Sequence, residues 1–319
     1  MSTVKMKEAP IVNGPIHAPV IILGCMRMPA LSDQEAARVI ESAMDQGVCF
    51  FDNATCYTNG VAEERFGQGK ARLSIPRDRM IIQTKCGLHF ADRKAFDWSE
   101  KDILESVEAS LKRMQTDYLD VLLLHRPDLL YEPEEVAAAF DQLYFSGKVR
   151  YFGVSNLMPL QIELLKKYVK QPLIFNQLQL SLVESQLLDQ TLYMNNKTTD
   201  MSFDRDNNTL DYCRLHDITV QAWSPMQYGF NAGGCPGGCF LDHPDFPELN
   251  TVLHKLADRY QVPIAAIATA WILRHPARMQ VIAGTMNPGH LEDMCQAVKV
   301  QLTRDEWYEL YIAAGKYLP

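Results

Sequence analysis

The sequence predicts an α/β protein, a single (β/α)8 TIM barrel with N-terminal and C-terminal additions. Three observations carry the prediction. Short apolar runs alternate with stretches of helical periodicity eight times. The 319 residues, 47% hydrophobic and 22% charged, are enough to bury one large core. No linker-like boundary interrupts the alternation, so residues 1–319 read as one domain with its core at about 20–302. An open doubly wound sheet fits the same alternation, and closure is the preferred reading.

Val20-Ile21-Ile22-Leu23-Gly24 is the first expected strand. Ser32-Asp33-Gln34-Glu35 then has the form of a capping box, with Ala36, Val39, Ile40, Ala43 and Met44 at helical spacing until Gly47. Val48-Cys49-Phe50-Phe51 is the second strand. A helix over 63–73 leads to a strand at 80–85, and a helix with Ile103, Val107, Leu111 and Met114 on one face leads to 119–125. Helices over 133–145, 159–168 and 210–216 precede strands at 149–154, 173–177 and 218–223. One long helical region, 247–274, precedes the last strand at 279–284. Residues before Val20 are expected to cap the barrel floor, and 303–314 to form a terminal helix. The polar stretch 194–208 reads as an inserted excursion rather than a linker.

Composition narrows the function. A net charge of -8 without basic runs argues against nucleic acid. The longest mainly apolar stretch, 262–273, is too short to span a membrane, and the amino terminus lacks a secretory signal core, so the expectation is a soluble, cytoplasmic protein. Eight scattered cysteines suit reduced thiols. The one close pair, Cys235 and Cys239, has no companion ligands at zinc spacing, so no metal is expected.

In a barrel of this kind, the C-terminal ends of the strands and the loops after them build the site. Asp52, Lys85 and His125 end the second, third and fourth predicted strands, and Tyr57 follows in the loop after the second. These four therefore converge at one mouth. A nearby ammonium lowers the pKa of a phenol, a carboxylate keeps that ammonium charged, and a neutral imidazole can hydrogen-bond a carbonyl oxygen. The set describes an acid poised over a carbonyl.

Phe51-Asp52-Asn53-Ala54 through Tyr57, Glu64-Arg65-Phe66-Gly67, Lys85, Asp120-Val121-Leu122-Leu123-Leu124-His125 and Gly153-Val154-Ser155-Asn156 resemble the motifs of the aldo-keto reductase superfamily, from about Val20 to Leu302. The resemblance implies hydride transfer between a nicotinamide dinucleotide and a carbonyl carbon, with Tyr57 as general acid in reduction and Asp52, Lys85 and His125 completing its tetrad. It implies that Ser155, Asn156 and Gln177 bond the nicotinamide carboxamide and that Trp223 packs on the ring. Ser224, Pro225, Met226 and Gly229 match a phosphate-contacting loop, which the glycine-rich 233–238 could close. Ala283, Gly284, Thr285, Met286, His290 and Asp293 fall in the segment that grips the adenosine ribose phosphate. Gly24, Met26 and Arg27 join Asp52 on the cofactor side, although family members often have a second glycine and a threonine near these positions. Met26 and Arg27 could narrow the mouth or place a cation beside it.

Gly284 stands where many members have lysine and His290 where many have arginine. NADP(H) is the expected cofactor by resemblance, with NAD(H) a serious competitor. Met28, His89, Phe90, Trp98, Tyr131, Tyr228 and Phe230 are candidate substrate-lining residues and suggest an apolar or aromatic carbonyl compound. Cys56 and Cys86 adjoin the tetrad, so their oxidation could inhibit. Two other readings stand beside the enzyme: a dinucleotide-binding regulatory or redox-sensing barrel with negligible turnover, and a metal-dependent hydrolase barrel on Asp52 and His125, which lacks further ligands. The sequence carries no signal for oligomeric state.

Overall fold

Eight parallel strands close into a barrel: β1 (Ile21–Gly24), β2 (Phe50–Asp52), β3 (Ile81–Cys86), β4 (Leu119–Leu124), β5 (Val149–Ser155), β6 (Leu173–Gln179), β7 (Thr219–Trp223) and β8 (Met279–Ala283). They pair in chain order, and β8 returns to β1 through Val281 opposite Ile21. The computed structural model of the chain describes residues 8–10, 17–90, 95–193, 208–230 and 236–319. Most of the expected excursion at 194–208, residues 233–235 of the glycine-rich 233–238 and the Cys235 member of the close pair lie outside the described residues.

Strand side chains alternate between two faces. Ile22, Phe50, Val121, Leu123, Phe175 and Ile282 fill the barrel interior. Their neighbours Leu23, Phe51, Leu122, Leu124, Val220 and Val281 pack outward against the helices. Gly153 is required on β5, because a Cβ there would lie 2.7 Å from Leu123 Cδ2 and 2.8 Å from the Phe175 carbonyl oxygen.

The helices are α1 (Asp33–Asp45), α2 (Val61–Ala71), α3 (Glu100–Arg113), α4 (Pro133–Phe145), α5 (Pro159–Lys166), α6 (Gln186–Leu192), α7 (Thr209–Leu215), α8 (Pro247–Tyr260), α9 (Ile264–Arg274), α10 (Pro288–Cys295) and α11 (Arg304–Ala313). The predicted capping box starts α1: the Ser32 hydroxyl accepts from the Glu35 amide, and the Glu35 carboxylate accepts from the Ser32 amide. The single helical region expected over 247–274 is instead two helices. Gln261 turns left-handed at φ 54, and Pro263 disfavours helical geometry in the residue before it. Helix α6 lies outside the predicted set.

The N-terminal addition pairs Glu8–Pro10 antiparallel with His17–Pro19. Ala18 joins the interior cluster beneath β1, which places this hairpin at the floor, opposite the strand ends that carry the polar residues. Among the described residues no helix is long and apolar enough to cross a membrane.

Candidate active site

The barrel register puts Asp52 beside Gln83 on β3, and Lys85 beside Leu123 on β4. His125 follows β4 directly. Lys85 is fully buried, and its ammonium donates to Asp52 Oδ2 at 2.8 Å, to the Asn53 carbonyl at 2.7 Å and to the Tyr57 hydroxyl at 3.0 Å. Three donors thus meet three acceptors. Burial alone lowers the lysine's pKa, but the Asp52 carboxylate and the Tyr57 phenol outweigh it and hold it above the ordinary lysine range.

Tyr57 behaves differently from the sequence expectation. Burial pushes its phenol up to about 12, against the opposing pull of Lys85, because the phenolate loses more hydration than one ammonium returns. The group is therefore a protonated acid at neutral pH. Burial, followed by the charges of Lys85 and Arg126, holds His125 well below the usual histidine range, so its imidazole is neutral. The two rings meet edge to face, 5.8 Å between centroids. Cys56 Sγ lies 3.3 Å from His125 Nδ1.

The loop that carries Tyr57 is held in an uncommon backbone. Thr58, Asn59 and Gly60 are successively left-handed, at φ 48, 54 and 89, a costly choice for a β-branched residue. Beyond it Glu63, fully buried at the start of α2, accepts from the Thr84 hydroxyl and from Arg113. That ties the helix after the loop to the strand bearing Lys85.

Polar groups continue around the rim. Ser155 Oγ donates to the Gln177 carbonyl, Asn156 Nδ2 donates to Ser155 Oγ at 2.8 Å, and Trp223 Nε1 donates to Asn156 Oδ1 at 3.3 Å. Asn156 and Ser224 are both left-handed. Gln177 spends its side-chain nitrogen on Asp52 Oδ1 and Gln221 Oε1, so a carboxamide contact would fall to its oxygen. Arg27 donates to the Gly284 carbonyl at 2.7 Å, bridging the loop after β1 to the end of β8, and a Cβ on Gly284 would lie 3.3 Å from that guanidinium. Met26 is exposed. Gly24, Pro225 and Ala283 are buried in the strand ends and loops, Met226, Gly229, Thr285, Met286 and Asp293 are half-buried, and His290 is exposed. Asn287 caps α10 by accepting from the Gly289 amide.

The expected substrate-lining residues take up varied positions. Met28 and Trp98 are buried in the core at 0% and 1% exposure, so neither presents a surface to a ligand here. Trp98 packs on Tyr131, His89 is bonded to Asp102, and Tyr228 packs on Phe246 and bonds His243. Phe90 is exposed, and the side chain of Phe230 lies outside the described residues. Burial raises the Cys56 thiol to about 11 and raises Cys86 further, which leaves little thiolate for the oxidation considered above. Sequence reasoning missed Gln83, which donates to Asp52 Oδ1 at 2.6 Å, and Arg126, which stands 6.0 Å from the Trp223 ring. Each carried a local signal: an amide inside an apolar strand, and a cation directly after His125.

A family model described as "Aldo/keto reductase family" matches residues 20–313. The chain is 33% identical over 307 residues to a 6-dehydroglucose reductase of Agrobacterium fabrum (strain C58 / ATCC 33970), covering 93% of this chain and 94% of the relative. It is 30% identical to a probable voltage-gated potassium channel subunit beta of Arabidopsis thaliana, over 85% of this chain and 84% of that one. Among solved structures, a thermostable aldo-keto reductase crystallised with the inhibitor epalrestat shares the fold with a TM-score of 0.75 at 22% identity, over 97% of this chain and 100% of that one.

Proposed function

Because the chain belongs to the aldo/keto reductase family, we propose that it is an NAD(P)H-dependent oxidoreductase reducing an aldehyde or ketone to the alcohol, with Tyr57 as general acid. The observation that carries this reading is the buried Lys85 ammonium, 3.0 Å from the Tyr57 hydroxyl and 2.8 Å from the Asp52 carboxylate. When bound, the nicotinamide dinucleotide supplies the hydride.

The chain's own residues handle the proton. Tyr57 donates to the carbonyl oxygen as that oxygen gains negative charge, and Lys85 stabilises the phenolate left behind. Asp52 keeps Lys85 charged and aimed. Neutral His125 donates a hydrogen bond to the same oxygen. General acid catalysis of this type contributes about 10² to 10⁴ in rate, and fixing the carbonyl in place adds to it.

The rim fits a dinucleotide. Trp223 offers a half-exposed aromatic face beside the Asn156 amide, and Ser155, Asn156 and the oxygen of Gln177 would serve as carboxamide partners. Arg27, together with the segment from Gly284 to His290, would hold phosphate. NADP(H) is the first choice by family. NAD(H) competes, because Gly284 and His290 stand where many members have lysine and arginine. The proposed setting is a cytoplasmic, single-domain protein acting on a small-molecule carbonyl, and the name of the Agrobacterium relative adds sugar aldehydes to the aromatic ones as substrates to try.

Oxidation of NADPH and NADH with such a panel, measured before and after Tyr57→Phe, tests the reading. Equal turnover by the two proteins removes Tyr57 as the acid. The potassium-channel relative favours a second reading, a dinucleotide-binding regulatory barrel. Fast hydride transfer in a single turnover, together with no stable partner in a pull-down, excludes it.

A further inference from the structure

A neutral imidazole exists as two tautomers, and only one carries its proton on Nε2. We propose that Cys56 is a positioning residue that selects this tautomer of His125 by donating its S–H to Nδ1. The inference rests on the reading of His125 as the donor to the substrate carbonyl.

The geometry is specific. Sγ stands 3.3 Å from Nδ1, and among the described residues the ring makes no other hydrogen bond. The thiol sits in an apolar nest of Ala54, Leu88 and Tyr57. Cys56 directly precedes Tyr57 in a turn closed by the Tyr57 amide on the Ala54 carbonyl at 3.1 Å. One short turn thus sets both the acid and the group that orients its neighbouring ring.

The protonation states leave one direction for the bond. Burial keeps the thiol protonated, with its pKa at about 11, and burial with the charges of Lys85 and Arg126 keeps the imidazole neutral. Sulfur is a weak acceptor, whereas an unprotonated ring nitrogen is a good one. A carbonyl oxygen presents only lone pairs. A ring with its proton on Nδ1 would face that oxygen with a lone pair of its own, so the thiol's bond to Nδ1 excludes the unproductive form.

Nitrogen NMR of protein labelled with ¹⁵N-histidine tests this, because the two tautomers have distinct ring-nitrogen shifts; His125→Gln assigns the signal. Wild type and Cys56→Ser are expected to show the Nε2–H form, since a serine hydroxyl can also donate. Cys56→Ala, and the bulkier Cys56→Val should the smaller residue destabilise the loop, are expected to populate Nδ1–H. Their kcat should fall about fivefold to tenfold, the scale of one neutral hydrogen bond, with dinucleotide affinity by tryptophan fluorescence unchanged and kcat recovered in Cys56→Ser. Retention of a pure Nε2–H signal in Ala and Val, or its loss in Ser, overturns the proposal. The tautomer is read without turnover, so a protein that reduces no carbonyl overturns the proposed function while this comparison still decides the role of Cys56.

Discussion

Gln83 and Gln221 exchange two hydrogen bonds across the barrel interior, at 2.9 and 3.1 Å. Gln221 Oε1 also accepts from Gln177, and its nitrogen reaches Gln280 Oε1 at 3.2 Å. Gln280 in turn donates to the Pro19 carbonyl at 2.8 Å. A lattice of buried amides therefore runs from Asp52 at the mouth to the hairpin at the floor. Such a network stabilises a core only when its members are satisfied.

Gln221→Leu is accordingly expected to destabilise the barrel. It strips partners from Gln83, Gln177 and Gln280, and each buried polar group left unmatched costs about 1–3 kcal/mol. Urea unfolding should show a loss of several times the error of the method. An unchanged midpoint would sink the lattice argument.

Lys85 and Asp52 are coupled, and breaking the pair from one side leaves a buried charge. Lys85→Met should cost about 3–5 kcal/mol of stability and abolish measurable reduction. Adding Asp52→Asn should recover part of the stability and none of the turnover. If the double variant is no more stable than the single one, Asp52 was not the stranded charge.

Acid sensitivity follows from two histidines. His125 is held well below the ordinary range, chiefly by burial, and His275 is lowered to about 4 by the same cause. Below about pH 6.5 the unfolded chain binds protons that the folded one refuses, so stability falls as pH drops from there toward 4. His125→Gln and His275→Gln should each flatten the dependence of Tm on pH over that window. Parallel curves for wild type and both variants would contradict the assignment.

Cofactor choice is expected to respond to His290. An exposed His290→Arg places a permanent cation at the start of α10, and charge-assisted bonds at such a surface site are worth roughly a threefold to tenfold gain in affinity. NADPH should bind more tightly while NADH stays unchanged, as read by tryptophan fluorescence. An equal gain for both dinucleotides would place His290 at the pyrophosphate instead.

The eightfold alternation and the four polar residues at the site were legible because both are local. A buried strand is a short apolar run, and a side chain at its C-terminal end or in the next loop can be counted directly from Asp52, Tyr57, Lys85 and His125. The break at Gln261–Pro263 was visible in the proline yet overridden by the apolar pattern on either side. The tertiary structure alone decided that burial outweighs Lys85 in setting the acidity of Tyr57, that Met28 and Trp98 turn inward, that four glutamines find one another, and that Cys56 reaches His125. Each of these depends on distance from water and on which strand stands opposite, quantities that arise only when segments far apart in the chain close around a common core.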